Sequence, residues 1–368
     1  MSQKLTFYPL GNAETVLLEL ANGKKLLFDY ADVNSGSAGD KRYKIVSELK
    51  RHKKFDVVMF SHSHEDHVKG AADFFAFDYA DKYQGAGRVV IGELWVSSAF
   101  ILETDSTDSP LCEDARVIRQ EARYRLKKGY GLRVFSRADG IDTWLSSQGM
   151  STDDSKYPIY HAGQLLSGRN IGLGDEIQFF IHAPFSNDAD NVTDRNDPSI
   201  VMQVRLFNST RQTNILITGD TPHDVLEKIV DFSEAKENSQ YLHWDIYDIP
   251  HHCSHTGLAS AGASGADRPD STTQPTAQVK KLIGQYGNRG GIFVASCESI
   301  PQTTKPPCIH AKRAYIAFGG SDKRFIVTME HPDKSSPKPL TITIDHTGVS
   351  VDRPQSDSFV TNPAPRAG

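Results

Sequence analysis

Hydrophobic positions open the chain in short β-rich runs. Residues 4–10, 15–20 and 25–29 are divided by turns at Gly11-Asn12 and Asn22-Gly23, a pattern that predicts antiparallel strands. Residues 40–52 carry Ile45, Val46 and Leu49 at helical spacing, and 56–60 then reads as a short, fully buried strand. From about Ala71 to Leu166 the pattern loosens, with a strand over 88–91 and a charged helix over 113–128. Strand patterns return over 176–182, 199–206, 214–218 and 244–250, with a helix over 224–231 after the third of them. Residues 258–276 are rich in Ser, Ala, Gly and Thr and are expected to form a mobile surface loop. A helix over 278–286 and strands over 291–296, 324–329 and 340–344 complete the pattern. The tail after about residue 353 is expected to be disordered.

Length leaves one large domain or two small ones open for these 368 residues, and either can bury a core. No window approaches the roughly 18 uninterrupted apolar residues of a membrane span, so a soluble chain without membrane insertion is expected. The start moves directly into strand sequence without the apolar stretch of a secretory signal, which favours the cytoplasm. Cys112, Cys253, Cys297 and Cys308 are far apart, form no CxxC pair and are expected to be reduced. A net charge of −5 argues against binding nucleic acid through bulk electrostatics, although an acidic protein can still carry a basic groove. Arg116, Arg119, Arg123 and Arg125 make the helix over 113–128 basic. Either they are a solvated face, or they form a groove wall that meets an anionic substrate.

The chemistry concentrates where apolar strands end. His62-Ser63-His64-Glu65-Asp66-His67 follows the strand over 56–60, and its two-residue His spacing converges only in a turn or loop. Imidazole and carboxylate together suit zinc, manganese or iron, and four such ligands divided over two ions match a dinuclear centre. Such a centre delivers hydroxide near neutral pH and clamps the reacting oxygens. Ile215-Leu216-Ile217-Thr218-Gly219-Asp220 adds a strand that ends on a carboxylate placed to bridge two metals. Pro250-His251-His252-Cys253-Ser254-His255 ends another strand: one histidine there would complete the metal shell, and another could protonate a leaving group. His52, His223, His243 and His331 read as structural or exposed.

In this order the three clusters resemble the metallo-β-lactamase superfamily, and within it the soluble hydrolase domain of the ComEC DNA-uptake family and its free-standing relatives. The landmarks are residues 9–14 with Leu27-Phe28-Asp29, residues 60–67, Ile181-His182-Ala183-Pro184, residues 196–201, residues 217–220 and residues 249–254. The resemblance spans about residues 5–300. Two departures stand out: Cys253 replaces the family's glycine after the paired histidines, and the middle His ligand is missing, with His182 and His161 as candidates.

The resemblance implies an α/β, four-layer αββα sandwich forming one domain over 1–353. It would carry a helical insertion at about 71–166. It also implies two divalent ions, Zn or Mn with Fe as a further option, and a homodimer as the superfamily-level expectation. His62 and His64 would hold one ion and Asp66 and His67 the other. Asp220 would bridge, and His251 or His252 would be the last ligand. Asp66, His251 and His252 are the expected catalytic residues. Asn196 and Ser199 would orient the Asp220 strand or contact a phosphate oxygen, and Arg116, Arg119 and Arg123 are further substrate-binding candidates. The implied activity is a phosphodiesterase or nuclease acting on nucleic acid or nucleotides. A hydrolase of a small lactone, thioester or phosphocholine-type ester and a non-catalytic metal-bound sensor remain alternatives.

Overall fold

In the computed structural model, residues 2–104, 110–153, 158–186, 194–209, 211–260, 272–301 and 306–352 are described. The chain begins in a first sheet with β1 (Gln3–Phe7), β2 (Val16–Glu19), β3 (Lys25–Phe28), β4 (Lys54–Met59), β5 (Phe75–Ala76), β6 (Val89–Ser97), β7 (Leu132–Phe135) and β8 (Ile159–Tyr160). It crosses to a second with β9 (Leu165–Ser167), β10 (Ile177–Ala183), β11 (Val201–Asn208), β12 (Arg211–Ile217), β13 (Trp244–Asp248), β14 (Gly287–Ala295) and β15 (Arg324–Val327). β16 (Leu340–Asp345) and β17 (Gly348–Val351) return to the first.

Both sheets change character partway across. The first runs β17-β16-β1-β2-β3-β4-β6-β7-β8, antiparallel as far as β3 and parallel from β3 to β8. The second runs β15-β14-β13-β12-β11-β10-β9, parallel from β12 to β15 and antiparallel elsewhere. Loops at the carboxyl ends of the parallel strands are therefore gathered on each sheet, the position from which α/β sheets present chemistry.

Alternation along the strands sorts their side chains into three cores. Val16, Leu18, Leu26, Phe28, Ile215, Ile217, Ile292 and Val294 share one core that draws on both sheets. Leu17 and Leu27 face a second with Leu49, Ile118 and Leu145 from helices Ile45–Lys50, Glu113–Lys128 and Asp139–Ser147. Leu216, Phe293 and Ala295 face a third with Ile229 and Tyr315 from helices His223–Ala235 and Ile309–Gly319. A period of two places alternate residues on opposite faces of a strand, and three cores require four layers. The αββα sandwich expected from the sequence is the observed architecture.

Segment 71–166 supplies β5 to β8 to the first sheet and packs helices Glu113–Lys128 and Asp139–Ser147 over it. The first of these helices has its expected bounds, and Gly129 at φ 72° ends it by donating its N–H to Arg125 O. The helix expected over 278–286 is instead a short α-helix, Ala277–Lys280, that widens into a π turn, Lys281–Gln285. Most of the 258–276 loop and the 354–368 tail lie outside the described residues. No helix among the described residues is long and apolar enough to cross a membrane.

Candidate functional site

The three clusters meet at the carboxyl ends of parallel strands. β4 leads into Ser61 and His62. His64 precedes the short helix Glu65–Val68, which carries Asp66 and His67. β12 ends at the Gly219 turn, where φ is 53° and a Cβ would stand 3.0 Å from Ser61 Cβ. Only glycine fits this close approach without strain, and it delivers Asp220 into the space between the clusters. After β13 the chain enters His251, His252 and Cys253, all with positive φ. Three successive non-glycine residues in left-handed conformations form a strained bend of the kind found at functional sites.

Asp220 is buried and its two oxygens have different neighbours. Oδ1 faces His67 Nε2 at 3.1 Å and His252 Nε2 at 3.6 Å, whereas Oδ2 faces His62 Nε2 and His251 Nε2, each at 3.9 Å. His62 Nε2 is 3.0 Å from His64 Nδ1, and His252 Nε2 is 3.1 Å from Asp66 Oδ2. Two groups of ligand atoms result around Asp220, each with members within 4.8 Å of one another: Asp66, His67, Asp220 and His252, and His62, His64 and Asp220; Glu14, Asp29 and His67 form a third behind them.

Whether these residues suit a cation depends on the outer nitrogens of the rings. His67 Nδ1–H donates to Asp29 Oδ2 at 2.7 Å, and His252 Nδ1–H donates to Ser296 O at 2.8 Å. The Ser61 hydroxyl donates to Asp29 Oδ2 at 2.6 Å, so it accepts from His62 Nδ1–H at 3.0 Å. In the metal-free protein the facing carboxylates favour protonated His67 and His252, whereas in the cation-binding form each outer nitrogen would keep its ring's one proton and present the Nε2 lone pair beside Asp220. This is the arrangement of metal-binding histidines, with a carboxylate or carbonyl behind each ring. The donor set fits divalent ions of the zinc or manganese kind.

The electrostatics are those of charge packed out of water. Burial pulls His67 down, but Asp220 and Asp29 on either side outweigh it and hold its pKa well above the ordinary histidine value. Burial opposes the charge on His252 too, yet Asp220 and the hydrogen bond to Asp66 raise its pKa to about 9. Burial, with His67 beside it, keeps His62 neutral far below its ordinary value. Burial disfavours ionised Asp220, but His252 and His67 outweigh it and hold the carboxyl well below the ordinary range.

Behind this group lies a layer of acids that sequence reasoning left unassigned. Asp29, which follows β3, accepts from Ser61 N at 2.7 Å as well as from Ser61 Oγ and His67. Glu14 Oε2 is 3.9 Å from His67 Nδ1, and buried Glu14 acts electrostatically on buried Asp248 at the end of β13. Burial raises the pKa of both members of that pair, and Glu14 adds to the rise at Asp248.

Other sequence-predicted residues go elsewhere. His182 lies on the outer face of β10, donates its Nε2–H to Tyr241 O at 3.0 Å and joins neither ligand group. His161 donates its backbone N–H to Gln164 Oε1 at 2.9 Å and also stands outside both groups. Arg119 is buried and donates to Glu103 O at 2.6 Å, while Arg123 donates twice to Ile101 O. Both cap the last carbonyls of helix Ser98–Leu102, and Arg125 is paired with buried Glu121 at 2.6 Å. These three arginines hold the helix layer together. Arg116 lies on the same helix, half-buried. Asn196 and Ser199 are buried one turn apart, with Ser199 N donating to Asn196 O at 3.0 Å. Ile200 N ties this turn to Ser61 O at 3.1 Å, placing it against the metal-ligand loop. The Cys253 thiol is buried in the outer core, where burial and then Cys308 push its pKa up, and it belongs to neither ligand group.

A positive side chain borders the site as well. Arg195 is ion-paired with Glu103, and the two line a small cavity with His62 and Ser63. Burial lowers the pKa of His64, and Arg195 adds a small push in the same direction.

Fold and site together define an αββα two-sheet protein with a buried His/Asp cluster of metal-ligand chemistry. No family model and no curated protein matches the chain. Among solved structures it is similar to a metallo-β-lactamase from Elizabethkingia meningoseptica at 11% identity, covering 66% of this chain and 74% of that one with a TM-score of 0.28. A β-lactamase from Chitinophaga pinensis is similar at 13% identity over 75% of this chain and 89% of its own, with a TM-score of 0.30. A class B3 di-zinc metallo-β-lactamase from an Alaskan soil metagenome is similar at 12% identity over 66% and 76%, with a TM-score of 0.25. At these identities and TM-scores the likeness assigns neither chemistry nor substrate.

Proposed function

We propose that the protein is a metal-dependent hydrolase, and specifically a phosphodiesterase acting on nucleic acid or nucleotide substrates. The observation that carries the hydrolase reading is the convergence of three imidazole Nε2 atoms, each with its outer nitrogen tied back, on one buried carboxylate beside Asp66. Asp66, His67, Asp220 and His252 would hold one ion, and His62, His64 and Asp220 the other. Bound there, the ions would supply an activated water and a charge clamp for the oxygens of the reacting group.

The chain's own residues perform the remaining work. Asp29, Ser61 and the Ser296 carbonyl hold the rings in one tautomer. Asp220 sets the spacing of the two groups. Arg195, ion-paired with Glu103, lines the small cavity beside His62 and Ser63, a place from which its guanidinium would meet an anionic substrate such as a phosphodiester. Asn196 and Ser199 brace the 61–62 backbone through Ile200.

The test is to incubate the purified protein with Mn or Zn against single-stranded DNA, duplex DNA, RNA, cyclic dinucleotides and bis-p-nitrophenyl phosphate. Cleavage that vanishes in folded Asp66→Ala supports the reading. No phosphodiester cleavage with either metal, together with turnover of a lactone or thioester, would move the assignment to a carbonyl substrate. Undiminished activity in Asp66→Ala would remove the hydrolase mechanism itself.

A further inference from the structure

The two ligand groups around Asp220 are unequal. Asp66, His67, Asp220 and His252 number four, enough to close a tetrahedral shell, whereas His62, His64 and Asp220 number three. Neither His182 nor His161 makes up the difference, since His182 is committed to the Tyr241 carbonyl on the far face of β10 and His161 lies outside both groups.

We infer that His251 supplies the missing ligand, so that His251 and His252 serve one ion each. The two oxygens of Asp220 sort the imidazoles into pairs: His67 and His252 on Oδ1, His62 and His251 on Oδ2. If Asp220 gives one oxygen to each ion, the imidazole that shares Oδ2 with His62 belongs to the ion of His62. Two atoms bound to one ion at about 2.0–2.2 Å lie no more than about 4.4 Å apart, and His251 Nε2 stands 3.9 Å from Oδ2.

The tautomer of His251 agrees. The Thr256 hydroxyl donates to Ser254 Oγ at 2.9 Å, so its oxygen accepts from His251 Nδ1–H at 3.0 Å. With a proton on Nδ1, the singly protonated His251 ring would turn its Nε2 lone pair toward a carboxylate oxygen. Two facing lone pairs repel, and a cation between them converts the repulsion into two bonds. His251 does not lie within 4.8 Å of all three ligand atoms of His62, His64 and Asp220, and its 27% exposed side chain has open space in which to close on them. The left-handed backbone at both His251 and His252 lets adjacent residues reach opposite oxygens of one carboxylate. Thr256 is then a positioning residue that acts through His251, with Ser254 behind it.

This inference rests on the metal-dependent reading, and metal counting separates the two. Chelator-stripped full-length protein is equilibrated with Zn or Mn, desalted and analysed for ions per folded chain, with affinities measured by titration calorimetry. Wild type is expected to hold two ions. His251→Ala should keep one and bind the second at least tenfold more weakly. Thr256→Val, which leaves the imidazole in place, should weaken the same ion, and His182→Ala should keep both. Circular dichroism of each variant confirms the fold. If His251→Ala retains two ions at wild-type affinity and loses only kcat, the inference is overturned and His251 is a proton-transfer group. A wild type that binds no ion overturns this inference and the metal-dependent reading together.

Discussion

Asp29 is the most informative residue to change, because it fixes the proton of an imidazole it does not share with the reaction. Its Oδ1 accepts Ser61 N–H, and its Oδ2 accepts both the Ser61 hydroxyl and His67 Nδ1–H. In Asp29→Asn the amide oxygen can keep the backbone N–H, which turns the NH2 toward two groups that are themselves donors. Ser61 can rotate its hydroxyl away. In the cation-binding form His67 carries one proton, and it can relieve the conflict only by keeping that proton on Nε2, where it points at Asp220 Oδ1 from 3.1 Å and blocks the lone pair a cation needs. Loss of such a carboxylate behind a ligating histidine weakens metal affinity about 10- to 100-fold, or about 1.4–2.7 kcal/mol. The folded state loses at least one charge-assisted hydrogen bond in addition, on the order of 1.5–3 kcal/mol. Competition against a chromophoric chelator measures the first effect, and urea denaturation of metal-free protein measures the second. An Asp29→Asn protein with wild-type metal affinity would refute the tautomer argument, and with it the reason for expecting ions at these rings.

Three other outcomes are expected. In chelator-stripped protein the His252 pKa is raised from 6.5 to about 9, so its contribution is complete below pH 6.5 and is lost as pH rises through about 9. Up to about 3 kcal/mol is involved; thermal melts should show the metal-free protein losing stability between pH 6.5 and 9, and a flat or rising profile contradicts this. Arg119→Ala and Arg123→Ala should each cost on the order of 1.5–3 kcal/mol in denaturant unfolding and leave KM for a phosphodiester unchanged, whereas a raised KM in a fully stable variant would restore the groove-wall reading. Gly219→Ala should lose about 1–2 kcal/mol from its left-handed backbone and, by pressing Ser61, weaken metal retention on a desalting column; unaltered metal content would show that the Ser61 contact does not position Asp220.

Much of the site was legible because its ligands follow apolar runs short enough to be buried strands. The sequences ending at Phe60, Thr218 and Pro250 each advertise a rigid root with a free loop after it, and the structure brings those loops together. Two features escaped for physical reasons. Glu14, Asp29 and Asp248 have no mutual spacing, and they meet only because the two sheets pack face to face. Asp29 and Asp248 do share one readable trait, an acid at the end of a run of apolar strand residues, as Asp220 does. The arginines misled in the opposite sense: Arg116, Arg119 and Arg123 repeat at helical spacing, which suits a charged face. Arg119 and Arg123 instead fold inward onto the carbonyls of Ile101 and Glu103. Helical periodicity records which residues share a face and says nothing of whether that face meets solvent or the frayed end of another helix.

The Glu14–Asp248 pair tests whether the layer behind the ligands is built for stability or for charge. Burial raises both carboxyls, so folding favours their protonated forms; that contribution is complete below the unfolded carboxyl values and is lost as pH rises through the folded ones. Near neutral pH the pair therefore stores a cost. Glu14→Gln keeps the shape, removes one ionisable group and gives Asp248 a permanent N–H donor. The variant should be more stable than wild type at pH 7–8 and gain little at pH 4, where both carboxyls already carry protons. If the acids have no further role, metal affinity will be unchanged. If their negative charge helps hold cations at His67, only 3.9 Å from Glu14, the more stable protein will bind metal less tightly, the exchange of function for stability expected where charge is buried at a site. A Glu14→Gln protein that melts lower at pH 7.5 would show that the ionised pair stabilises the fold, contrary to the burial argument.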